Sequence, residues 1–351
     1  MIEVLQAILP YISGLWTLPW IAVGFFVTIV IAHFIGREKI DRIMKKIGLI
    51  LLYFFIPVLL FRIFLDLFQI EQVGFTLLVA VIIAFMYLLA VFYARYSVKK
   101  LQIKTTKRNL YLKTLLTNQG RSTAFIGSAM LAYWPIEAGI FMALVGIGLF
   151  AIIPYILSHM HKQEASKTQG SIDHALPWFL RLYPWYLILF VIAAVAINFS
   201  AGIKTSDFGD IGFLLKFYTA FTIPAALYYV GSGIHPSDLK VSELKKLIGI
   251  DKTGEHQDHW LWVRNIFFLT VILTPLVIAG LFGLLYFTEI IPSSWFAVIL
   301  INAVLPITST NMFLVPYGID KKATAHAITW TTLVCVPIVV VLIFLFDFLL
   351  V

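Results

Sequence analysis

Two polar clusters stand inside long apolar runs of this chain. The first is Asn118, Gln119, Gly120, Arg121, Ser122 and Thr123; the second is Pro306, Thr308, Ser309, Thr310 and Asn311. Amides, hydroxyls and a guanidinium donate hydrogen bonds, and Arg121 adds a full positive charge. Their natural chemistry is to bind and desolvate a small anion. Bond-making chemistry wants a nucleophile–base pair or a metal motif, and neither HExxH nor GxSxG occurs. The isolated HPSD at 235–238 is too compact to supply either.

The elements that must position these clusters are set by composition. Of 351 residues, 61% are hydrophobic and 13% charged, where soluble domains hold about 45–50% and about 25%. That excludes a soluble enzyme, and 30 Phe with 9 Trp exclude a disordered chain. The bilayer is the solvent. The net charge of +8 reads as loop bias rather than nucleic-acid binding, so no nucleic acid is expected as partner. The single Cys335 forms no intrachain disulfide, and no cofactor or metal is expected. The start MIEVLQAILPYISG has neither a basic n-region nor a cleavage site, so no separable signal peptide is expected; Ile2 to Tyr11 reads as a short interfacial helix.

Apolar runs predict ten spans, at 15–36, 47–67, 74–95, 110–132, 137–160, 183–201, 211–234, 260–287, 294–315 and 324–350. All Lys and Arg except Arg62, Arg121, Lys204 and Lys216 fall at the loops after odd spans and the adjoining helix ends. The odd loops are therefore expected in the cytoplasm, with both termini extracytoplasmic. Trp16, Trp20, Trp134, Trp178, Trp185, Trp260 and Trp262 lie near span ends, as an aromatic belt requires.

The two halves repeat one another. FFIPVLLF around Pro57 pairs with FTIPAALYYVGSGI around Pro224, the two polar clusters pair in spans four and nine, and Pro154 pairs with Pro337. Five spans per half force the halves into opposite orientation, as in many secondary transporters. The expected fold is an all-α polytopic membrane protein. Its ten helices form two inverted five-helix repeats, 1–160 and 183–351, joined by a cytoplasmic loop at 161–182, with the fourth and ninth helices broken and crossing. A buried polar run must face protein or a water-filled cavity. Pro306 lacks a donor, and Gly120 is expected to permit dihedrals that other residues avoid. Paired breaks present half-helix N-termini, which suit an anion. The bland alternative is a pair of kinked helices whose polar groups bond to their own i−4 carbonyls. A charge such as Arg121 within a span usually has a partner: an anionic substrate, or Glu137 or Asp66 in a structural ion pair.

On FFIPVLLF, the Asn118 break, IPAALYYVGSGI and AVLPITSTNMFLVPYGIDKKATAHAITWTTLVCVPIVVVL, the chain resembles the auxin efflux carrier family and shares its broad architecture with bile acid symporters. The resemblance implies a scaffold from 15–67 and 183–234. It also implies a mobile transport domain from 74–160 and 260–351, elevator-type movement and a homodimer. The first break here reads Asn-Gln-Gly-Arg, without the proline of plant carriers, and the long regulatory loop insert is missing. A prokaryotic plasma-membrane carrier of a small carboxylate fits better than an auxin carrier. Alternatives are a sodium-coupled bile-acid-like symporter, a passive channel and an intramembrane enzyme. The clusters offer oxygens but no carboxylate, which favours uniport or proton coupling over sodium. His326 and His33 are candidate proton relays, against a neutral histidine within the bundle. His256, Asp258 and His259 could share a metal ion, against a plain solvated loop.

Overall fold

The computed structural model describes residues 2–12, 17–123, 126–168, 178–250 and 257–350. The described chain is helical, and its one extended pairing is a single bridge between Arg121 and Ile307. Short α1 (Ile2–Ile8) runs into a 3-10 turn at Leu9–Ile12, the expected N-terminal helix. Then come α2 (Trp20–Ile35), α3 (Arg37–Leu67), α4 (Gln72–Lys100), α5 (Thr105–Thr117), α6 (Pro135–Met160) and α7 (Trp178–Ala201). The rest are α8 (Gly209–Ser232), α9 (Val241–Ile248), α10 (His259–Phe287), α11 (Ser293–Val304) and α12 (Lys321–Leu350). Among the described residues seven helical stretches are long and apolar enough to cross a membrane, and Trp20–Ile35 and Ser293–Val304 are shorter apolar helices. Phe26, Phe34, Leu77, Phe92, Leu284 and Phe344 lie exposed on the outside, while Asn118, Arg121, Thr310 and Asn311 are buried. This inside-out pattern belongs to a multi-pass membrane protein.

Several boundaries differ from expectation. The first segment begins at Trp20 and ends at Gly36, whose φ of 87° turns the chain straight into α3. The second segment therefore starts ten residues earlier than the apolar run, because the basic stretch from Arg37 is already helical. The fourth and ninth segments are not continuous: each is an α-helix, an unwound stretch and a 3-10 piece, at Ile126–Ala132 and Ser309–Tyr317 respectively. The fifth segment's helix continues to Thr168. His256 and the rest of the 161–182 loop beyond Thr168 and before Trp178 lie outside the described residues, as does the side chain of Asp258.

Three π-helical turns interrupt otherwise regular helices, at Leu51–Phe55, Gly148–Ile152 and Phe268–Leu273. Each ends two residues before a proline: Pro57, Pro154 and Pro275. Proline removes one donor and crowds the preceding turn, and a wider turn relieves both.

Packing follows small residues. Helix α2 lies along α8 where Gly24 and Gly231 bring the backbones together; a Cβ on Gly24 would sit 2.1 Å from the Tyr228 carbonyl oxygen, and one on Gly231 1.8 Å from that of Ile21. Close approach of this kind drives helix association in lipid. The C-terminal half of α3 packs along α7, and Asn198 Nδ2 donates to the Leu65 carbonyl. Helices α4, α5, α6, α10, α11 and α12 pack mainly among themselves, with α6 touching α3 and α7.

A β-carbon at Gly231 can be accommodated only by separating α2 from α8. Gly231→Val should cost about 3 kcal/mol, the upper end of overpacking penalties, read as a lowered melting temperature in detergent. Gly280→Ala, where nothing lies within 4 Å of the new methyl, should leave it unchanged or slightly raised. Equal effects of the two would sink the packing account.

Candidate functional site

The two unwound stretches meet. Helix α5 closes at Asn118, whose N–H donates to the Thr114 carbonyl at 3.1 Å, and turns continue through Gln119 and Gly120. Beyond that point the backbone is extended. Ser122 N–H donates to the Pro306 carbonyl at 2.9 Å, and Thr308 N–H donates to the Gly120 carbonyl at 2.9 Å. Arg121 and Ile307 thus face each other as a non-hydrogen-bonded antiparallel pair, flanked by two ladder bonds. Pro306 contributes only its carbonyl, the one group it has to offer. Ile307 N–H donates to Thr331 Oγ1 on α12 at 3.2 Å. The crossing therefore satisfies backbone groups that no helix serves at this depth.

Gly120 has an ordinary φ, contrary to the expectation of unusual dihedrals. Space is the reason for glycine: a Cβ there would lie 2.7 Å from Asn311 Oδ1 and 3.1 Å from Leu149 Cδ1. The second stretch is stabilised locally, with Thr308 capping the 3-10 piece by accepting from Thr310 N–H and sharing a 2.9 Å bond with the Thr310 hydroxyl. Ser309 faces Tyr229 of α8. Asn118 Nδ2 donates to the Thr114 carbonyl at 2.8 Å and to Thr324 Oγ1 at 3.1 Å, tying the first break to α12.

Arg121 is 3% exposed. Its guanidinium donates to the Leu305 carbonyl at 3.3 Å, to Gln119 Oε1 at 3.3 Å and to the Thr270 carbonyl at 3.1 Å. Among the described residues no carboxylate pairs with it; Asp66, one of the two proposed counter-ions, accepts instead from Thr205 N–H. The Thr270 carbonyl is available for a stated reason. In the π-turn Thr274 N–H bonds back five residues to Leu269, so the next residue would serve Thr270. That residue is Pro275, which has no N–H.

Not every polar group here is served. Thr117 Oγ1, Asn118 Oδ1, Gln119 Nε2, Arg121 Nε, Asn302 Oδ1 and both side-chain polar atoms of Asn311 are buried without a hydrogen-bond partner among the described residues. Buried polar groups are normally satisfied, and such a concentration needs an explanation. The space beside Arg121, lined by Tyr87, Gln119, Thr123 and Asn302, is only ≈10 Å³, about the least that holds one water. A far larger cavity of ≈730 Å³ opens between α3, α8 and the start of α6, with Arg62, Asp66, Lys204 and Lys216 in its lining. One wall is Leu131 and Ala132, the end of the 3-10 piece that follows the first break.

The predicted site residues thus come together around one crossing, with Thr123 on its small cavity and Ser309 on its α8 side. His326 does not join them; its ring contacts His259, although Thr324, two residues earlier, touches the crossing. His33 packs edge-on against Phe34. Thr117, Thr270, Pro275, Asn302 and Thr331 were missed by the sequence reading. Asn302 and Pro275 left a trace, as a lone amide and a lone proline in apolar runs; the threonines resemble any others in a span. No protein-family model matches the chain, and no curated protein matches it.

Arg121→Ala should lower stability by about 2 kcal/mol, since two buried carbonyls lose their donor at about 1–3 kcal/mol each while the relief of burying a charge offsets part. Pro275→Ala in that background returns a donor to Thr270 and should recover about 1 kcal/mol. Melting temperatures of the four-member cycle would show it; strict additivity would exclude the Pro275 link.

Proposed function

We propose that this protein is a secondary transporter of a small carboxylate, working by elevator-type alternating access. In this reading ten spans form two inverted five-helix repeats of the auxin efflux carrier type, with the loops after odd spans in the cytoplasm of a prokaryotic cell and both termini outside. Helices α2, α3, α7 and α8 stay fixed, as one half of a homodimer, while α4–α6 and α10–α12 carry the crossing. The carrying observation is the group of unpaired buried donors, Gln119 Nε2, Arg121 Nε and Asn311 Nδ2, around two crossed helix breaks. Paired breaks at corresponding places of two halves mark transporter sites, and unpaired donors there are what a desolvated anion would engage.

Charge supports an anion. Three cations against one carboxylate line the large cavity, all on α3, α8 and the segment before α8, the fixed side in this reading. Such a cleft raises the local concentration of anions. Arg121 contributes by holding Leu305 and Thr270 in place, so that the donors around it keep their geometry; its own Nε remains unpaired. A second reading, a sodium-coupled symporter, is favoured by the unpaired oxygens of Thr117, Asn118, Asn302 and Asn311.

Thermal shift of the purified protein with acetate, lactate, succinate and benzoate, with and without sodium, tests both. A carboxylate at about 100 times its Kd should add about 2.7 kcal/mol of apparent stability; a shift that needs sodium selects the symporter. Asn311→Leu should raise the melting temperature of the unliganded protein, because an unpaired buried amide disappears at little change of shape, and should abolish the carboxylate shift and uptake into proteoliposomes. Retained uptake would remove Asn311 from the site. Lys216→Ala should weaken uptake several-fold at low salt and much less at high salt.

A further inference from the structure

The strongest polar cluster outside the crossing lies at the basic-loop end. His259, at the start of α10, and His326, in the second turn of α12, face each other with Nε2 and Nδ1 2.9 Å apart. The outer nitrogen of each ring faces a carboxylate: His259 Nδ1 is 3.9 Å from Asp320 Oδ1, and His326 Nε2 is 3.7 Å from Asp238 Oδ1. Four groups from three segments make one line, Asp320–His259–His326–Asp238.

Proton counting along that line is informative. Its central gap is a hydrogen bond and needs one proton between the rings; each outer gap, at ion-pair distance, is favourable only when the ring nitrogen facing the carboxylate carries a proton. Two neutral imidazoles bring two protons, since each ring carries one N–H and one lone pair. One gap must then set a bare lone pair against a neighbour's oxygen or nitrogen. One further proton fills all three gaps and takes the cluster from a net charge of −2 to −1. A second would place two N–H groups head to head between the rings, so the cluster accepts one and refuses the next.

The surroundings agree. The four side chains are between 14% and 27% exposed, so water can deliver the proton. The Trp260 ring lies 4.9 Å from that of His326 and tilts towards it, a placement that favours a cation. Burial raises the Asp238 carboxyl, but His326, with Ser237 and His235 beside it, outweighs burial and holds the group below the ordinary carboxylate range, so it stays ionised. Neighbouring His235 is depressed by burial and by Arg37, against the pull of Asp41 and Asp238, and stays neutral at pH 7. Opposing the proton are the N-termini of α10 and α12, Lys321 and Lys322 in the first turn of α12, Lys113 of α5 against Gly318, and Arg264 of α10 against Gly249. On α9 Glu243 and Lys246 pair with each other. Asp320 spends part of its charge capping α12, accepting from Ala323 N–H at 2.8 Å. The two carboxylates each lie within 4 Å of a ring nitrogen, close enough to favour a proton there.

We propose that His259 and His326 form a single-proton binding site whose occupancy couples proton uptake to the position of the moving helices. The coupling rests on the elevator reading above and on where the line crosses the fold. Asp238 hangs six residues beyond the end of α8, a fixed helix in that reading, and next to His235, which reaches Asp41 of α3 at 3.9 Å. His326 and His259 ride on α12 and α10. The His326–Asp238 contact therefore spans fixed and moving parts and breaks when they slide. The proton binds more tightly in the state shown and is released in the other. The crossing senses this through α12, since Asp320 N–H donates to Thr114 Oγ1 and Thr324 holds Asn118.

Two measurements on the full-length protein in lipid nanodiscs test it. With 15N-labelled histidine, the rings of His259 and His326 should take up one proton between them and respond together, and Asp238→Asn should weaken that uptake. Two protons taken up independently, one on each ring, would overturn the site. In a Cys335→Ala background, spin labels at Arg42→Cys on α3 and Lys99→Cys on α4 report the fixed-to-moving distance. It should redistribute between low and high pH, and His326→Gln should abolish that response. A distance that answers to succinate but not to pH would overturn the coupling alone. One that answers to neither would overturn the elevator reading with it, and the titration would still judge the proton site.

Discussion

An extended backbone in hydrocarbon has nowhere to put its N–H and C=O groups, and everything at the centre of this molecule follows from that. Each break by itself would strand several such groups. Placed at one depth they serve each other: the Gly120 carbonyl accepts from Thr308 N–H, and the Pro306 carbonyl accepts from Ser122 N–H. Neither break is tolerable without its partner. The pairing dictates that α5 and its 3-10 continuation cross α11 and its own. It also requires α12 to lie alongside, where Thr331 serves Ile307 and Thr324 holds Asn118. Glycine at 120 is fixed by the same crowding, because Asn311 occupies the space of a side chain there.

The charge in this crossing is neutralised by dipoles rather than by an ion. Carbonyls from two segments and one side-chain amide point at Arg121, and two of the three belong to backbone that a helix would have used itself. Leu305 is free because the chain breaks after it. Thr270 is free because a π-turn hands its carbonyl to a proline. An arginine, with its fixed fork of donors, reaches several such acceptors at once, which a lysine ammonium does not do with the same geometry. Arg121 therefore staples both breaks to α10, and these parts move as one body if they move at all.

Much of this was legible in the sequence, and the reason is the solvent. In lipid, apolar length and basic loops report helices directly, and a polar hexapeptide inside an apolar run stands out because it is expensive. The two clusters were thus visible, and so was the proline that starts the second. What escaped was pairing in space. The bond between Ser122 and Pro306 joins residues far apart in sequence, and backbone groups carry no residue label. An arginine read as seeking an anion turns out to be served by carbonyls, which no composition reveals. The break at Gly36, where α2 turns into α3 without a loop, was hidden because the basic stretch from Arg37 reads as a loop while its amphipathic pattern makes it helix.

Depth separates the remaining polar groups into two kinds. At the crossing, backbone demands are met but the amides of Asn118, Gln119, Asn302 and Asn311 are left with unpaired atoms. Asn118, Gln119 and Asn302 each make a bond with their other amide atom, whereas Asn311 has neither atom paired among the described residues, so stability does not account for that amide. No proton can exchange easily at Arg121, which is buried at 3% exposure. The histidine pair is different, since its rings touch water and its two carboxylates keep a site for one charge. One α-helix joins the two places, with Thr324 at the crossing and His326 in the pair. A charge that comes and goes at the wet end therefore acts on the dry end through a rigid rod.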